Sequence, residues 1–199
     1  AFTAFANMGH RAHPRLILRV EDADGGVIYE APVRRDQVLT PQVAYLTTSL
    51  MRDVVERGTG WRVRNALPSG VVAAGKTGTT NDNTDTWFVG VTPDIAAASW
   101  VGFDNPQRIF RGAEGGNTAS PIWGEAVAAY YKTRPVPPPW LAPFDLVNVT
   151  IDGASGMRAT PSCPGAEVRD EWFIPGTEPL DNCPIHGDSG MGGWLRRRL

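Results

Sequence analysis

The sequence places a lysine, three threonines and two glycines in one short run, Gly75-Lys76-Thr77-Gly78-Thr79-Thr80. The run follows the apolar segment Val71-Val72-Ala73-Ala74 and precedes the turn-forming Asn81-Asp82-Asn83. The chain has only two lysines, Lys76 and Lys132, so one set beside an apolar segment asks for a reason. A buried ammonium is costly unless paired. Lysine also shifts its pKa readily and donates to several partners, which suits catalysis. The hydroxyls can hold an anion, and the glycines let a ligand or a second backbone approach the strand. Taken alone Lys-Thr-Gly is a weak motif. It describes equally well a strand end whose lysine reaches out to water.

The surrounding pattern predicts the elements that position this run. Ala1 to Met8 reads as the last turns of a helix ended by Gly9, as in a piece of a longer protein. Arg15–Val20 and Val27–Glu30 read as strands joined by the turn Glu21–Gly26. Pro32–Asp36 is a polar connection. Thr40-Pro41 is an N-cap with proline at the first helical position. Val43, Leu46, Leu50 and Val54 follow at three-to-four spacing, widened by Met51 and Val55, and predict a helix from Pro41 to Arg57. Three strands come next: Val71–Thr80, Asp85–Thr92 and Ile95–Phe103. The short turns between them require an antiparallel meander. A Gly, Asn and Arg-rich loop covers Asp104–Thr118, and Pro121–Tyr131 is a last helix.

Composition changes at Pro135. Pro135-Val136-Pro137-Pro138-Pro139 predicts an extended, semi-rigid linker. Beyond it, Phe144–Ile151 reads as one strand, the rest as irregular loop, and Met191–Leu199 as a mobile tail. The division expected is therefore 1–134 and 135–199. Cys163 and Cys183, the two cysteines, lie in this Pro/Gly-rich part and read first as a disulfide of an extracytoplasmic protein. Cys183-Pro184-Ile185-His186 has the C-x-x-H spacing of a metal site, but no clear fourth ligand is visible, and two free thiols are a further alternative. The net charge of −2 gives no footprint for nucleic acid, and Arg196-Arg197-Arg198 reads as solvated tail. No apolar run reaches the length of a membrane span.

In its context the motif is more specific. Lys76-Thr77-Gly78-Thr79-Thr80 on the first strand of a meander resembles the third active-site motif of penicillin-interacting serine enzymes. Phe5-Ala6-Asn7-Met8-Gly9, Gly58-Thr59-Gly60, Asp85-Thr86-Trp87-Phe88-Val89-Gly90, Trp100-Val101-Gly102-Phe103-Asp104 and Ala119-Ser120-Pro121-Ile122-Trp123 follow in family order. Together they resemble the C-terminal half of the transpeptidase domain of class A, bifunctional penicillin-binding proteins. Phe173-Ile174-Pro175-Gly176-Thr177-Glu178-Pro179 resembles a C-terminal extension of some members.

The resemblance implies a peptidoglycan D,D-transpeptidase that cross-links stem peptides through a serine acyl-enzyme and binds β-lactam antibiotics. It implies catalytic roles for Lys76 and Thr79, the latter through its N–H at the oxyanion. Thr77, Gly78, Thr79 and Thr80 are implied to bind substrate. No cofactor and no metal are implied. The expected location is the extracytoplasmic face of the bacterial membrane, reached through an anchor N-terminal to this sequence. The sequence departs from the family in one respect. Alanines, Ala73 and Ala129, stand three residues before the two lysines, so no Ser-x-x-Lys occurs, and no Ser-x-Asn occurs either. The family carries both upstream, so the N-terminal half of the same protein is an expected partner and the chain alone is expected to be inactive. Other readings are a monofunctional DD-carboxypeptidase, a serine β-lactamase-like hydrolase and a non-catalytic cell-wall interaction module.

The fold expected is α+β: a five-stranded antiparallel sheet, made by the hairpin and the meander, with both helices on one face. The motif edge and an apolar patch on the other face are expected to be exposed. Asp82 and Asp85 read as solvated turn carboxylates, and His10 and His13 as surface residues. Trp87, Trp100 and Trp123 read as core. Glu114, in the Gly-rich loop, could reach substrate.

Overall fold

The computed structural model describes residues 1–186, and the chain divides into two units, Ala1–Leu141 and a second beginning at Ala142. The expected tail Met191–Leu199, with its arginines, lies outside the described residues.

The first unit opens with a single helical turn, α1 (Thr3–Ala6). An antiparallel arm follows. β1 (His10–Ala12) pairs with β4 (Arg35–Gln37), and between them β2 (Arg19–Glu21) pairs with β3 (Val27–Glu30). Among the described residues the arm pairs only with itself, which corrects the five-stranded sheet. The expected strand Arg15–Val20 becomes regular only at Arg19, and Leu16, Ile17 and Leu18 are exposed. Every residue of β2 and β3 faces solvent, so the hairpin has no buried face with which to join a larger sheet. His13 Nε2 lies 2.7 Å from Asp36 Oδ2, and Arg11 donates to the same oxygen at 3.0 Å. Both contacts hold the Asp36 carboxyl below its ordinary range.

α2 (Pro41–Glu56) starts as the sequence predicts: the Thr40 hydroxyl accepts from the Val43 N–H at 3.3 Å. Its buried face differs from the expected one. Ala44, Tyr45, Thr48, Met51 and Val55 are buried, whereas Val43 and Leu50 are exposed. The small Ala44 and Thr48 lie on the packed side, and the Thr48 hydroxyl is satisfied by donating to Ala44 O at 2.8 Å. A 3-10 turn, Trp61–Asn65, follows.

The meander forms as a three-stranded antiparallel sheet in the order β5 (Ala74–Thr79), β6 (Asp85–Val91), β7 (Ala96–Gly102). Register pairs Lys76 with Val89 and Val89 in turn with Ala98, and likewise Gly78 with Trp87 and Trp87 with Trp100. These residues share one face. Trp87 and Trp100 are 44% and 43% exposed, because no described element covers that side. They are therefore a surface pair, at 6.2 Å between rings, rather than core. Trp123 is core as expected.

The opposite face is covered by α3 (Ala119–Tyr131) together with α2 and the 3-10 turn. Trp123 of α3 stacks edge-on against Phe88 at 5.3 Å and donates its Nε1 hydrogen to Ala97 O at 3.0 Å. The Phe88 ring leaves no space for larger neighbours. A Cβ added to Gly60, Gly75 or Gly90 would come within 2.9, 2.4 or 2.7 Å of it. At the end of α3 the Tyr131 hydroxyl donates to Asp94 and lies 2.6 Å from Thr92 Oγ1. Burial raises its pKa. Trp140, past the prolines, is buried and donates to Ala6 O at 3.0 Å, so the Pro-rich stretch stays with the first unit.

The second unit is more regular than expected. β8 (Val147–Asp152) pairs antiparallel with β9 (Val168–Phe173), a strand the sequence reading left as loop. Apart from its two cysteines, the buried apolar residues among those described in this unit are Leu146 and Ile151.

Candidate active site

β5 is an edge strand, paired on one side only among the described residues. Its alternation sends Lys76 and Gly78 to the open face and Thr77 and Thr79 to the other. Lys76 is exposed and its Nζ donates to Thr77 O at 3.0 Å. Thr77 Oγ1 lies 2.7 Å from Thr59 Oγ1. Thr79 Oγ1 accepts from the Gly115 N–H at 3.1 Å.

The Gly-rich loop is therefore laid against the strand. A Cβ at Gly115 would stand 2.3 Å from Trp87 O and 2.7 Å from Gly78 O, and one at Gly116 would stand 2.2 Å from Thr59 O. Only glycine allows backbone to approach this closely. The loop is continuous with α3: Ser120 N–H donates to Gly115 O at 2.8 Å, and the Ser120 hydroxyl to Gly116 O at 2.9 Å. Thr77 and Thr79 thus hold their hydroxyls on one face of the strand, Thr77 against Thr59 and Thr79 against the Gly115 N–H, with Lys76 on the other face; such hydroxyls are able to donate to an anion. Sequence reading singled out Thr77 and Thr79, but left Thr59 in a flexible connection and Gly115 in a loop.

Thr80 lies beyond the strand. Its hydroxyl closes the turn, accepting from the N–H groups of Thr84 at 3.1 Å and Asp85 at 3.0 Å. Asp85 is structural: it accepts from Trp100 Nε1 at 3.0 Å and Thr84 Oγ1 at 2.9 Å. Asp82 and Glu114 are exposed.

Cys163 and Cys183 are not bridged; both are buried free thiols. Each sulfur is held by its own turn. Cys163 Sγ accepts from the Thr160 N–H and Cys183 Sγ from the His186 N–H, both at 3.3 Å. Cys183 Sγ points to the Asp152 carboxylate, 3.3 Å away. Hydrogen bonds from Ser155 hold that carboxyl low, at about 2, against the opposing effect of burial.

Two family profiles match the sequence: "Penicillin binding protein transpeptidase domain" over residues 1–128, and "Penicillin-binding protein 1A, C-terminal domain" over residues 142–188. Penicillin-binding protein 1A of Pseudomonas aeruginosa is 30% identical over 216 residues, covering 83% of this chain and 26% of its own. That of Rickettsia conorii is 29% identical over 205 residues, covering 92% of this chain and 25% of its own. The chain thus spans about a quarter of the length of these relatives. Penicillin-binding protein 1A from Haemophilus influenzae shares the fold, with a TM-score of 0.79 at 24% identity over 92% of this chain and 32% of that one. An imipenem acyl-enzyme complex of penicillin-binding protein A from Mycobacterium tuberculosis matches with a TM-score of 0.50 at 25% identity, over 64% and 29% of the two chains.

Proposed function

The chain belongs to the penicillin-binding protein transpeptidase family, and we propose that it forms the strand-side wall of a serine D,D-transpeptidase site that cross-links peptidoglycan stem peptides and binds β-lactams. The wall lies within residues 1–134, the Pro-rich stretch from Pro135 stays with it as far as Leu141, and the extension follows. The observation that supports the reading most is the cluster on edge strand β5, where Thr59, Thr77 and Gly115 N–H surround the strand that carries Lys76 and Thr79.

The chemistry follows from the residues. An unpaired strand edge accepts an extended peptide by main-chain hydrogen bonds, and Gly78 lets that peptide lie flat. The terminal carboxylate of a D-Ala-D-Ala stem is met by the hydroxyls of Thr77 and Thr79, with Thr80 at the rim and Thr59 setting the Thr77 rotor. The Thr79 N–H faces the carbonyl oxygen that becomes negative in the tetrahedral intermediate. Lys76 supplies positive potential and assists proton transfer. The nucleophile is a serine from a Ser-x-x-Lys segment that this sequence does not contain. Its oxygen bonds to the penultimate carbonyl carbon, the terminal D-Ala leaves with a proton, and the acyl group passes to an amine of a second stem. The site works outside the cytoplasmic membrane, where stem peptides are cross-linked. No described helix is long and apolar enough to cross a membrane.

Fluorescent penicillin tests the reading. The 199-residue chain is expected to take no covalent label, and a chain extended upstream through a Ser-x-x-Lys segment is expected to take one label per molecule by intact mass. Covalent labelling of the short chain that heat denaturation abolishes would overturn the assignment. So would an upstream sequence without the serine.

A further inference from the structure

The second unit gathers four metal-type donors at one point. Asp152, Cys163, Cys183 and His186 each offer one ligand atom, and these atoms all lie within 4.8 Å of one another. Cys183 Sγ is 3.5 Å from His186 Nδ1, which is 3.2 Å from Asp152 Oδ1. A tetrahedral zinc ion, with Zn–S of about 2.3 Å and Zn–N or Zn–O of about 2.0–2.1 Å, separates its donors by about 3.3–3.8 Å. These two separations, 3.5 and 3.2 Å, lie close to that spacing.

An independent observation points into the same space. Asp152 is fully buried, and its Oδ1 accepts no hydrogen bond. The other oxygen, Oδ2, is fixed by the Ser155 N–H at 2.8 Å and the Ser155 hydroxyl at 2.7 Å. The carboxylate is thus oriented by one oxygen and left with the other bare toward the imidazole and thiols. The nearest group to Oδ1 is His186 Nδ1 at 3.2 Å, which offers a counter-charge only when the imidazole is protonated; beside a neutral imidazole the buried acceptor is costly, and a bound cation removes the cost. The surroundings are those of a supported ligand set. N–H groups of Thr160 and His186 donate to the two sulfurs. His186 Nε2 lies 3.7 Å from Glu167 Oε2, beyond a direct hydrogen bond but within the reach of its negative charge. The unit also has little else to hold it among its described residues, whose buried apolar side chains besides the cysteines are Leu146 and Ile151. Units this small are commonly stapled by a metal or a disulfide.

We propose that Asp152, Cys163, Cys183 and His186 form a closed, structural site for a zinc-class divalent cation that staples the strand pair β8–β9 to the segment ending at His186. All four positions are filled by protein, so the ion organises the fold and leaves no open position for a reacting molecule. The two thiols lose their protons on binding and His186 binds neutral. The proposal does not depend on the transpeptidase reading.

Cobalt(II) is the probe. The 199-residue protein is reduced, stripped with chelator and titrated with Co²⁺ without oxygen. The expected result is saturation at one equivalent, with the visible bands of tetrahedral cobalt and a near-ultraviolet thiolate-to-cobalt band, both erased by added Zn²⁺. Cys163→Ser with Cys183→Ser should abolish the near-ultraviolet band. Asp152→Asn should keep that band but weaken binding by about tenfold or more. Absence of the tetrahedral spectrum in the unsubstituted protein overturns the proposal. A spectrum unchanged in the double serine variant does so as well, because the metal then sits elsewhere. Protein that is isolated two hydrogen masses light, and takes no cobalt after reduction, contains a disulfide and no metal site.

Discussion

Thr59 and Thr77, from segments eighteen positions apart, place their hydroxyl oxygens 2.7 Å from each other at the edge of the sheet. One hydroxyl hydrogen is used inside the pair, so the other is free to turn toward an incoming anion. In a chain extended to carry the nucleophile, Thr77→Val should slow penicillin acylation by about 10–100-fold, the effect of losing one hydrogen bond to a charged group. Thr59→Val should act in the same direction and more weakly, since Thr77 keeps its own hydroxyl. Stopped-flow acylation rates check both, and a Thr77→Val enzyme as fast as the parent would remove Thr77 from the site.

Gly115→Ala should loosen the motif strand. The added methyl meets Trp87 O and Gly78 O, both backbone atoms that cannot swing aside. The loop must lift, and the Gly115 N–H then loses Thr79 Oγ1. The expected destabilisation is about 1–3 kcal/mol by chemical denaturation. In the extended enzyme acylation should fall as well. An unchanged midpoint would show that the loop is not seated as described.

Tyr131→Phe removes a hydroxyl from the Thr92–Asp94 turn. Thr92 still donates to Asp94 at 2.8 Å, so the expected loss is modest, about 0.5–1.5 kcal/mol. Alkaline pH separates this contact from generic packing. Burial raises the Tyr131 pKa in the folded chain above the unfolded value of about 10. The corresponding stability is complete below about pH 10 and is lost as pH rises through the folded value. Denaturation midpoints measured from pH 8 upward should therefore fall less steeply in Tyr131→Phe than in the parent.

Met51→Ala and Leu50→Ala test which face of α2 is packed. Met51 is buried, and its truncation should cost about 2–5 kcal/mol. Leu50 is 66% exposed and should change stability by no more than about 0.5 kcal/mol. Equal losses would restore the face read from the sequence.

The sequence pattern carried the meander, the α2 cap and the motif strand because each rests on local signals: alternation, a Thr-Pro start, and short turns of no more than five residues. It misjudged the arm. Arg15–Val20 and Val27–Glu30 look like sheet strands by composition, but whether a hairpin joins a sheet depends on a buried face, and that is a tertiary property. The face of α2 was misread for a related reason: Leu50 is more apolar than Ala44 or Thr48, yet small residues permit closer packing. At the candidate site Thr77 and Thr79 were legible within one strand. Thr59 and Gly115 were not, because they meet that strand only through folding. Cys183-x-x-His186 announced half of a ligand set. Its partner Asp152 ends a strand some thirty residues earlier, and it is brought in by Arg158, which bridges Ile151 on one side and Asn182 on the other.

The crowding around Phe88 has a consequence for how this protein can vary. One ring dictates residue identity at three positions drawn from three different segments: Gly60, Gly75 and Gly90. The three differ in what else stands in the way: a Cβ at Gly75 also meets Val89 O at 2.9 Å and one at Gly90 also meets Trp123 at 2.7 Å, whereas at Gly60 the next atom is Val54 O at 3.2 Å. In a saturating mutational library, alanine at Gly60 should therefore be the most readily recovered when Phe88 is shortened to leucine, and alanine at Gly75 or Gly90 should stay selected against because a second obstacle remains. Phe88 and Gly60 vary together, while the other two glycines are held twice over.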